Sequence, residues 1–277
     1  MEKYQPLPGD VLSYRSSNGV GFYELDEAWR PKDIVVAFST RIGGISQGPF
    51  AALNLGMHVG DESQMVLANR QRLSDALAIT ASHWVVGQQV HESNVAAVFD
   101  HHRGRGASAQ DTAIPGVDGL VTATPQLWLT CFYADCVPIV FWDVQARAVG
   151  IAHAGWRGTL RNVGGAVVEN MIQRFGCHPA NIHAVIGPSI GPCCYFVGED
   201  VAEGFRLQFQ EGVVAECGGE ITLDLKEANR QHLVGSGLPA AQVHVSKLCT
   251  ACHGESFFSY RRDKSPTGRM VAIVGLR

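Results

Sequence analysis

The chain has 277 residues, 46% hydrophobic and 17% charged, which supplies a sizeable core and excludes a disordered chain. Its 22 Lys and Arg against 26 Asp and Glu leave a net charge of −4, so it offers no bulk positive field for nucleic acid or an anionic membrane surface. Met1–Pro6 lack the apolar stretch of a signal peptide and no apolar run reaches the roughly 18 residues that span a bilayer, so the expected compartment is cytoplasmic, with no membrane partner.

In chain order, strand-like runs fall at Ile34–Ser39, His83–Val86, Asn94–Phe99, Leu120–Thr122, Gln126–Phe132, Val137–Trp142, Ala148–Ala154, Ile182–Ile186, Gln242–Val245 and Met270–Gly275. Several are continuously apolar, which suits strands buried on both faces. Helical patterns cover Glu62–Ala78, Leu160–Phe175, Glu199–Phe209 and Asp224–Val234. The last opens on Asp224 with Glu227 three residues on, a capping-box pattern. The polar stretch Asp100–Gly116 reads as a long surface loop. Strands interleaved irregularly with a few helices predict an α/β or α+β domain with mixed sheets.

The chemistry concentrates in three places. In Ala134-Asp135-Cys136 a polar turn delivers a cysteine to the mouth of an apolar strand. The next strand, Ala148–Ala154, puts Val149, Ile151 and His153 on one face by its period of two. If the two strands pair antiparallel, Cys136 and His153 meet at one sheet end. His91 follows another apolar strand in a polar turn. Two imidazoles and a thiolate would hold zinc with a fourth position open for water or substrate. Spacing alone leaves open the alternative that these are hydrogen-bonded structural residues.

The strings QQVH (88–91), DGLVT (118–122), ADCVPIVFWD (134–143), VGIAHAGWRGT (149–159), IGPSIGPCCY (186–195), FFSYRRD (257–263) and TGR (267–269) resemble the multicopper polyphenol oxidase, or laccase-domain, family. Its bacterial members are also described as purine nucleoside phosphorylases. The resemblance runs from about Val35 to the C-terminus. It implies one domain over 1–277, with 1–33 a peripheral N-terminal segment. The implied fold is α+β, with mixed β-sheets packed as a sandwich between helical layers. It also implies that His91, Cys136 and His153 are zinc ligands and the catalytic centre, with copper as the alternative metal.

Around them, Arg41 in Ser39-Thr40-Arg41-Ile42-Gly43-Gly44 is the first candidate for an anion clamp, because glycine amides beside a guanidinium suit phosphate. Asn54 could meet a ribose hydroxyl or cap its turn, and Arg157 is a second candidate clamp. Asp135 is expected to orient a ligand or cap the turn. Of Arg261 and Arg262, one should face the pocket and one solvent if they lie on a strand. Cys249-Thr250-Ala251-Cys252-His253 matches the c-type haem string, which is set aside because haem attachment needs export; Cys193-Cys194 reads as structural and His101-His102 as solvated.

The resemblance implies phosphorolysis of adenosine, inosine, guanosine and methylthioadenosine, with adenosine deamination. The expected partners are therefore purine nucleosides and phosphate. One alternative is a Cys–His amide hydrolase editing a peptidoglycan precursor, with Cys136 as nucleophile. Another is a copper-dependent polyphenol oxidase, which the absence of HxH and HCH pairs among the 11 histidines disfavours. A metal-dependent binding module without turnover is the non-enzymatic option.

Overall fold

A computed structural model describes residues 9–277. The first sheet is six-stranded, in the order β1 (Leu12–Ser17), β2 (Val20–Leu25), β3 (Ile34–Ser39), β15 (Met270–Leu276), β7 (Trp128–Tyr133) and β4 (Trp84–Val86). Only the β4–β7 pair is parallel. The second sheet runs β14 (Val243–Val245), β10 (His183–Ile186), β8 (Val137–Asp143), β9 (Ala148–Ala154), β6 (Gly119–Thr122) and β5 (Val95–Ala97), with parallel pairs at both edges. A small sheet of β11 (Phe196–Val197), β13 (Glu220–Leu223) and β12 (Val214–Cys217) completes the strands among the described residues.

Alternation along the strands explains the layering. On β15, Met270, Ala272 and Val274 pack with Val140, Val149 and Ile151 of the second sheet, forming the core between the sheets. The intervening Val271 and Ile273 face the other way, with Leu73 and Leu77 of α1 (Ser63–Leu77). On the second sheet, Ile139, Phe141 and Ala152 turn outward to Val167 and Met171 of α3 (Val163–Phe175) and Leu233 of α5 (Leu225–Gly235). Both sheets are therefore covered on both faces, which is why their strands read as continuous apolar runs. The result is the expected α+β sandwich between helical layers.

Several expectations change in detail. Residues 12–25, placed in a peripheral segment, form the edge hairpin of the first sheet, with Leu12, Tyr23 and Leu25 buried in the intersheet core; Met1–Pro6 lie outside the described residues. The hairpin β12–β13 and strand β11 had no continuous apolar run to mark them, while the expected helix Glu199–Phe209 forms as α4 (Glu199–Gln208). The expected helix at Leu160 is two: α2 (Trp156–Leu160), then α3, divided at Asn162, which adopts φ 55° and caps Gly165. At α5 only half the capping box forms: Asp224 accepts from Lys226 and Glu227 amides, while the Glu227 carboxylate is engaged by Arg230. Tyr260–Asp263 is a one-turn helix, α6, rather than strand.

Candidate metal centre and cleft

The topology converges five chain segments on one end of the sandwich. Strands β4 and β7 are parallel, so both end there; β15 is antiparallel to β7 and begins there. The chain then crosses between the sheets at Ala134-Asp135-Cys136, so Cys136 sits at the crossover itself. In β8–β9, Val137 pairs with Ala154 and Pro138 with His153, which brings Cys136 beside His153 as their strand pairing predicts.

His91 arrives from the loop after β4. One carboxylate shapes that loop: Asp118, 3% exposed, accepts the successive amides of Val90, His91 and Glu92 at 3.0, 3.1 and 2.8 Å. This wraps the backbone around the anion and holds His91 at φ 62°, a left-handed conformation uncommon for a residue with a side chain. The same Asp118 lies 2.9 Å from Nδ1 of His153. With Nδ1–H donating to Asp118, the Nε2 edge of His153 is turned to Cys136. One ligand atom from each of His91, Cys136 and His153 lies within 4.8 Å of the others. The backbone leaves room for them: a Cβ at Gly155 would stand 2.9 Å from His91 Nδ1 and 3.1 Å from Cys136 Sγ.

Charge is distributed unevenly among the three. Burial pushes the His91 imidazole down, and the charge of His153 adds to that. Burial also works against the His153 imidazolium, but Cys136 and the Asp118 carboxylate outweigh it and raise its pKa to about 9. For Asp118, burial alone would raise the carboxyl; the bonds from His153 and the loop amides hold it below its ordinary value. Without a metal, His153 and Asp118 are thus a buried ion pair.

The triad opens into a cleft of about 630 Å³ lined by Phe132, Trp156, Tyr195 and Tyr260, by His58, by Gln88 and Gln110, and by Arg261 and Arg269. His58, in a turn at Met57–Val59, is driven down to about 4 by burial and by Arg269, so it is a neutral imidazole near pH 7. The Gln110 carbonyl oxygen is buried without a partner. Arg269 uses Nη1 on the carbonyls of Thr267 and Gly268; its Nε and Nη2 donors meet no protein acceptor among the described residues. Arg261 lies 4.7 Å over the Tyr195 ring and donates to the Phe196 carbonyl.

The three candidate substrate-binding residues are not part of this lining. The Arg41 guanidinium holds the carbonyls of Ala51 and Gly254 and stacks on Phe258; it organises backbone, and the glycines beside it serve close chain packing. Asn54 is fully buried, bonded to Gly56, Asp61 and the amide of Arg269. Arg157 is exposed and stacks on the cleft residue Trp156. Asp135 ties Thr250 Oγ1 and the Arg261 amide, anchoring the start of α6. Of the arginine pair, Arg261 faces the cleft while Arg262 turns to the carbonyls of Thr250, Ala251 and Phe257. Asp118, His58, Gln110 and Arg269 escaped the sequence reading as functional residues. Asp118 and Arg269 lay inside the quoted strings DGLVT and TGR, but nothing local revealed what they would face.

Residues 35–277 match the family model described as multi-copper polyphenol oxidoreductase laccase. The chain belongs to this family. Among its relatives, the purine nucleoside phosphorylase YlmD of Geobacillus stearothermophilus is 44% identical over 88% of this chain and 90% of its own length. Adenosine deaminase RL5, from an unknown prokaryotic organism, is 38% identical over 85% of this chain and 91% of its own. The crystal structure of Geobacillus stearothermophilus YlmD superposes with a TM-score of 0.90 at 40% identity, covering 97% of this chain and 99% of that one. Neisseria meningitidis protein NMB0706 gives 0.75 at 29% identity, over 96% and 99%. Relatives in this family are thus named as enzymes of purine nucleosides, and His91, Cys136 and His153 form a group that could hold a metal ion.

Proposed function

We propose that this protein is a zinc-dependent purine nucleoside phosphorylase that also deaminates adenosine. The observation that carries the proposal is the cleft itself, where a three-donor metal group shares walls with aromatic rings and two guanidiniums. Two imidazoles and one thiolate suit zinc, with a position left for an exogenous ligand. Bound there by His91, Cys136 and His153, the ion would supply Lewis acidity toward a substrate oxygen or water.

The chain's own groups take the remaining roles. Phe132, Trp156, Tyr195 and Tyr260 offer flat apolar surface to a purine. The unpartnered Gln110 oxygen would accept from an N–H on its edge. Arg269, with Nε and Nη2 available, would hold phosphate through two oxygens at once, and Arg261 would add charge to the same wall. Neutral His58 can offer one ring nitrogen as a hydrogen-bond acceptor and the other as a donor within the cleft. Adenosine deamination uses the same base pocket without the anion, and the name of the RL5 relative favours it as the second activity. Substrates and phosphate are small and soluble, consistent with work in the cytoplasm; among the described residues no helix is long and apolar enough to cross a membrane.

Purified protein supplied with inosine should release hypoxanthine only when phosphate is present, and should lose that activity on chelation and regain it with zinc. Phosphate-independent release would instead indicate hydrolysis. Chelator-insensitive cleavage of an amide substrate would favour a Cys136–His153 nucleophile pair. Phenol oxidation restored by copper alone would favour the oxidase.

A further inference from the structure

Cys193 and Cys194 sit in the loop after β10, and Cys249 and Cys252 in the loop after β14. Parallel pairing extends β10 and β14 into those loops through the Ser189–Cys249 bridge and the Thr250 amide on the Ser189 carbonyl. One sulfur from each of the four cysteines lies within 4.8 Å of the others. Cys252 Sγ is 3.5 Å from Cys193 Sγ and 3.4 Å from Cys194 Sγ. A disulfide needs about 2.05 Å. A tetrahedral shell with metal–sulfur bonds of about 2.3 Å places its sulfurs roughly 3.8 Å apart.

Backbone donors gather at one sulfur, that of Cys249, while burial raises the other three thiols to about 11, so metal binding must displace their protons. The Gly191 amide donates to buried Cys249 Sγ at 3.2 Å, and the amides of Ala251 and Cys252 also point at it. Lys226 is 6% exposed and fixed to the carbonyls of Ser246 and Leu248, and its charge faces Asp224 first, then Cys249, Asp10 and Cys193. Four thiolates around a divalent ion carry net negative charge, which, together with the two neighbouring carboxylates, would offset this buried ammonium.

We propose that Cys193, Cys194, Cys249 and Cys252 form a second, structural zinc site, separate from the catalytic triad. Binding forms four metal–sulfur bonds and releases the thiol protons to solvent; no electron is transferred. The string Cys249-x-x-Cys252 is thereby half of a metal knuckle, and His253 is occupied elsewhere, its ring on the Cys249 carbonyl. The site staples two loops that build the cleft wall. Tyr195 follows Cys194 directly and carries Arg261, while Thr250, between the other two cysteines, bonds Asp135.

The test is metal content and zinc-edge X-ray absorption on the full chain, purified anaerobically with reductant and loaded with zinc. Wild-type protein should hold about two zinc ions, and His153→Ala about one, with a sulfur-only shell near 2.3 Å. Exposed-position variants Cys193→Ser and Cys252→Ser should each lose one zinc while the triad ion remains with its mixed nitrogen and sulfur shell. If either variant misfolds, the wild-type and His153→Ala spectra still decide. A zinc-free His153→Ala protein that stays folded would overturn the proposal, as would a Cys252 disulfide to Cys193 or Cys194 in the reduced preparation. Unchanged zinc in His153→Ala relative to wild type would count against the triad instead, so the two metal assignments fail separately.

Discussion

At the scale of single residues, Asp118 is the position on which the site depends most. It receives three loop amides and one imidazole N–H, so it sets both the path of the His91 loop and the tautomer of His153. Asp118→Asn keeps the volume but removes the charge and places an N–H donor among donors. Zinc affinity should fall about 10- to 100-fold, as for other groups that orient metal-bound histidines. A chelator competition titration measures it; an unchanged affinity would mean that the loop holds its shape without the carboxylate. The raised pKa of His153 gives a pH dependence with a definite sign. Below 6.5, metal-free protein carries the His153 proton folded or unfolded, so the ion pair contributes fully to stability. Between 6.5 and about 9 the unfolded chain has lost a proton that the folded chain keeps, and the contribution declines until it is gone. Zinc must displace that proton, so affinity should rise across the same interval. Isothermal titrations at several pH values should show proton release upon zinc binding at neutral pH, and none from His153 above the window.

The arginines separate by the same residue-level reasoning. Arg269→Lys keeps a charge in the cleft but loses the planar fork, so the phosphate KM in inosine phosphorolysis should rise at least about tenfold, a loss near 1.4 kcal/mol, with zinc retained and adenosine deamination less affected. Arg41→Lys should instead lower the melting temperature, because carbonyls of Ala51 and Gly254 lose bonds, while the phosphate KM stays near wild type. Measuring both variants side by side assigns the clamp; a phosphate defect confined to Arg41→Lys would return the role to that residue.

Among elements, strands and helices announced themselves where one element obeyed one rule. Strands β3 and β9 occupy the expected residues, because they are apolar runs bounded by turns. Helix α5 begins after its cap residue Asp224, whose carboxylate takes two of the free amides of the first turn. Asp224→Ala should therefore cost about 1 kcal/mol in urea unfolding, and no loss would show that packing of Leu225 and Leu233 alone sets the start of the helix. The hairpins β1–β2 and β12–β13 were not marked in the sequence, since β1 and β13 mix polar and apolar residues at half-exposed positions and the buried strand β2 is interrupted by Gly21 and Glu24. The Tyr260–Asp263 turn was misassigned because the strand-like Phe257-Phe258 before it is buried for tertiary reasons, while Ser259 caps the helix by accepting from Arg262.

For the whole molecule, the intersheet core is the common support of both halves of the site. Ile151 shares its face of β9 with His153 and is 1% exposed between the sheets. Ile151→Ala should destabilise by about 2–5 kcal/mol, read from denaturant midpoints of metal-free protein, and zinc affinity should weaken with it as the β8–β9 pair loosens. Destabilisation without any change in affinity would show that the triad is held by its own hydrogen bonds alone. The sequence by itself determined a mixed α and β class, most strands and the pairing of Cys136 with His153, because those follow from apolar periodicity and from neighbouring strands in register. Its resemblance to a family added the sandwich layering and joined His91 to that pair as a zinc ligand set. What only the tertiary structure decided is what surrounds the triad: Asp118 beneath it, Arg269 and His58 across from it, and Arg41 and Asn54 turned away. These residues are distant in sequence, and each bears a side chain that would be unremarkable on a surface. Their roles arise from where the ends of β4 and β7, the start of β15 and the sheet crossover meet, a coincidence in space that no local pattern encodes.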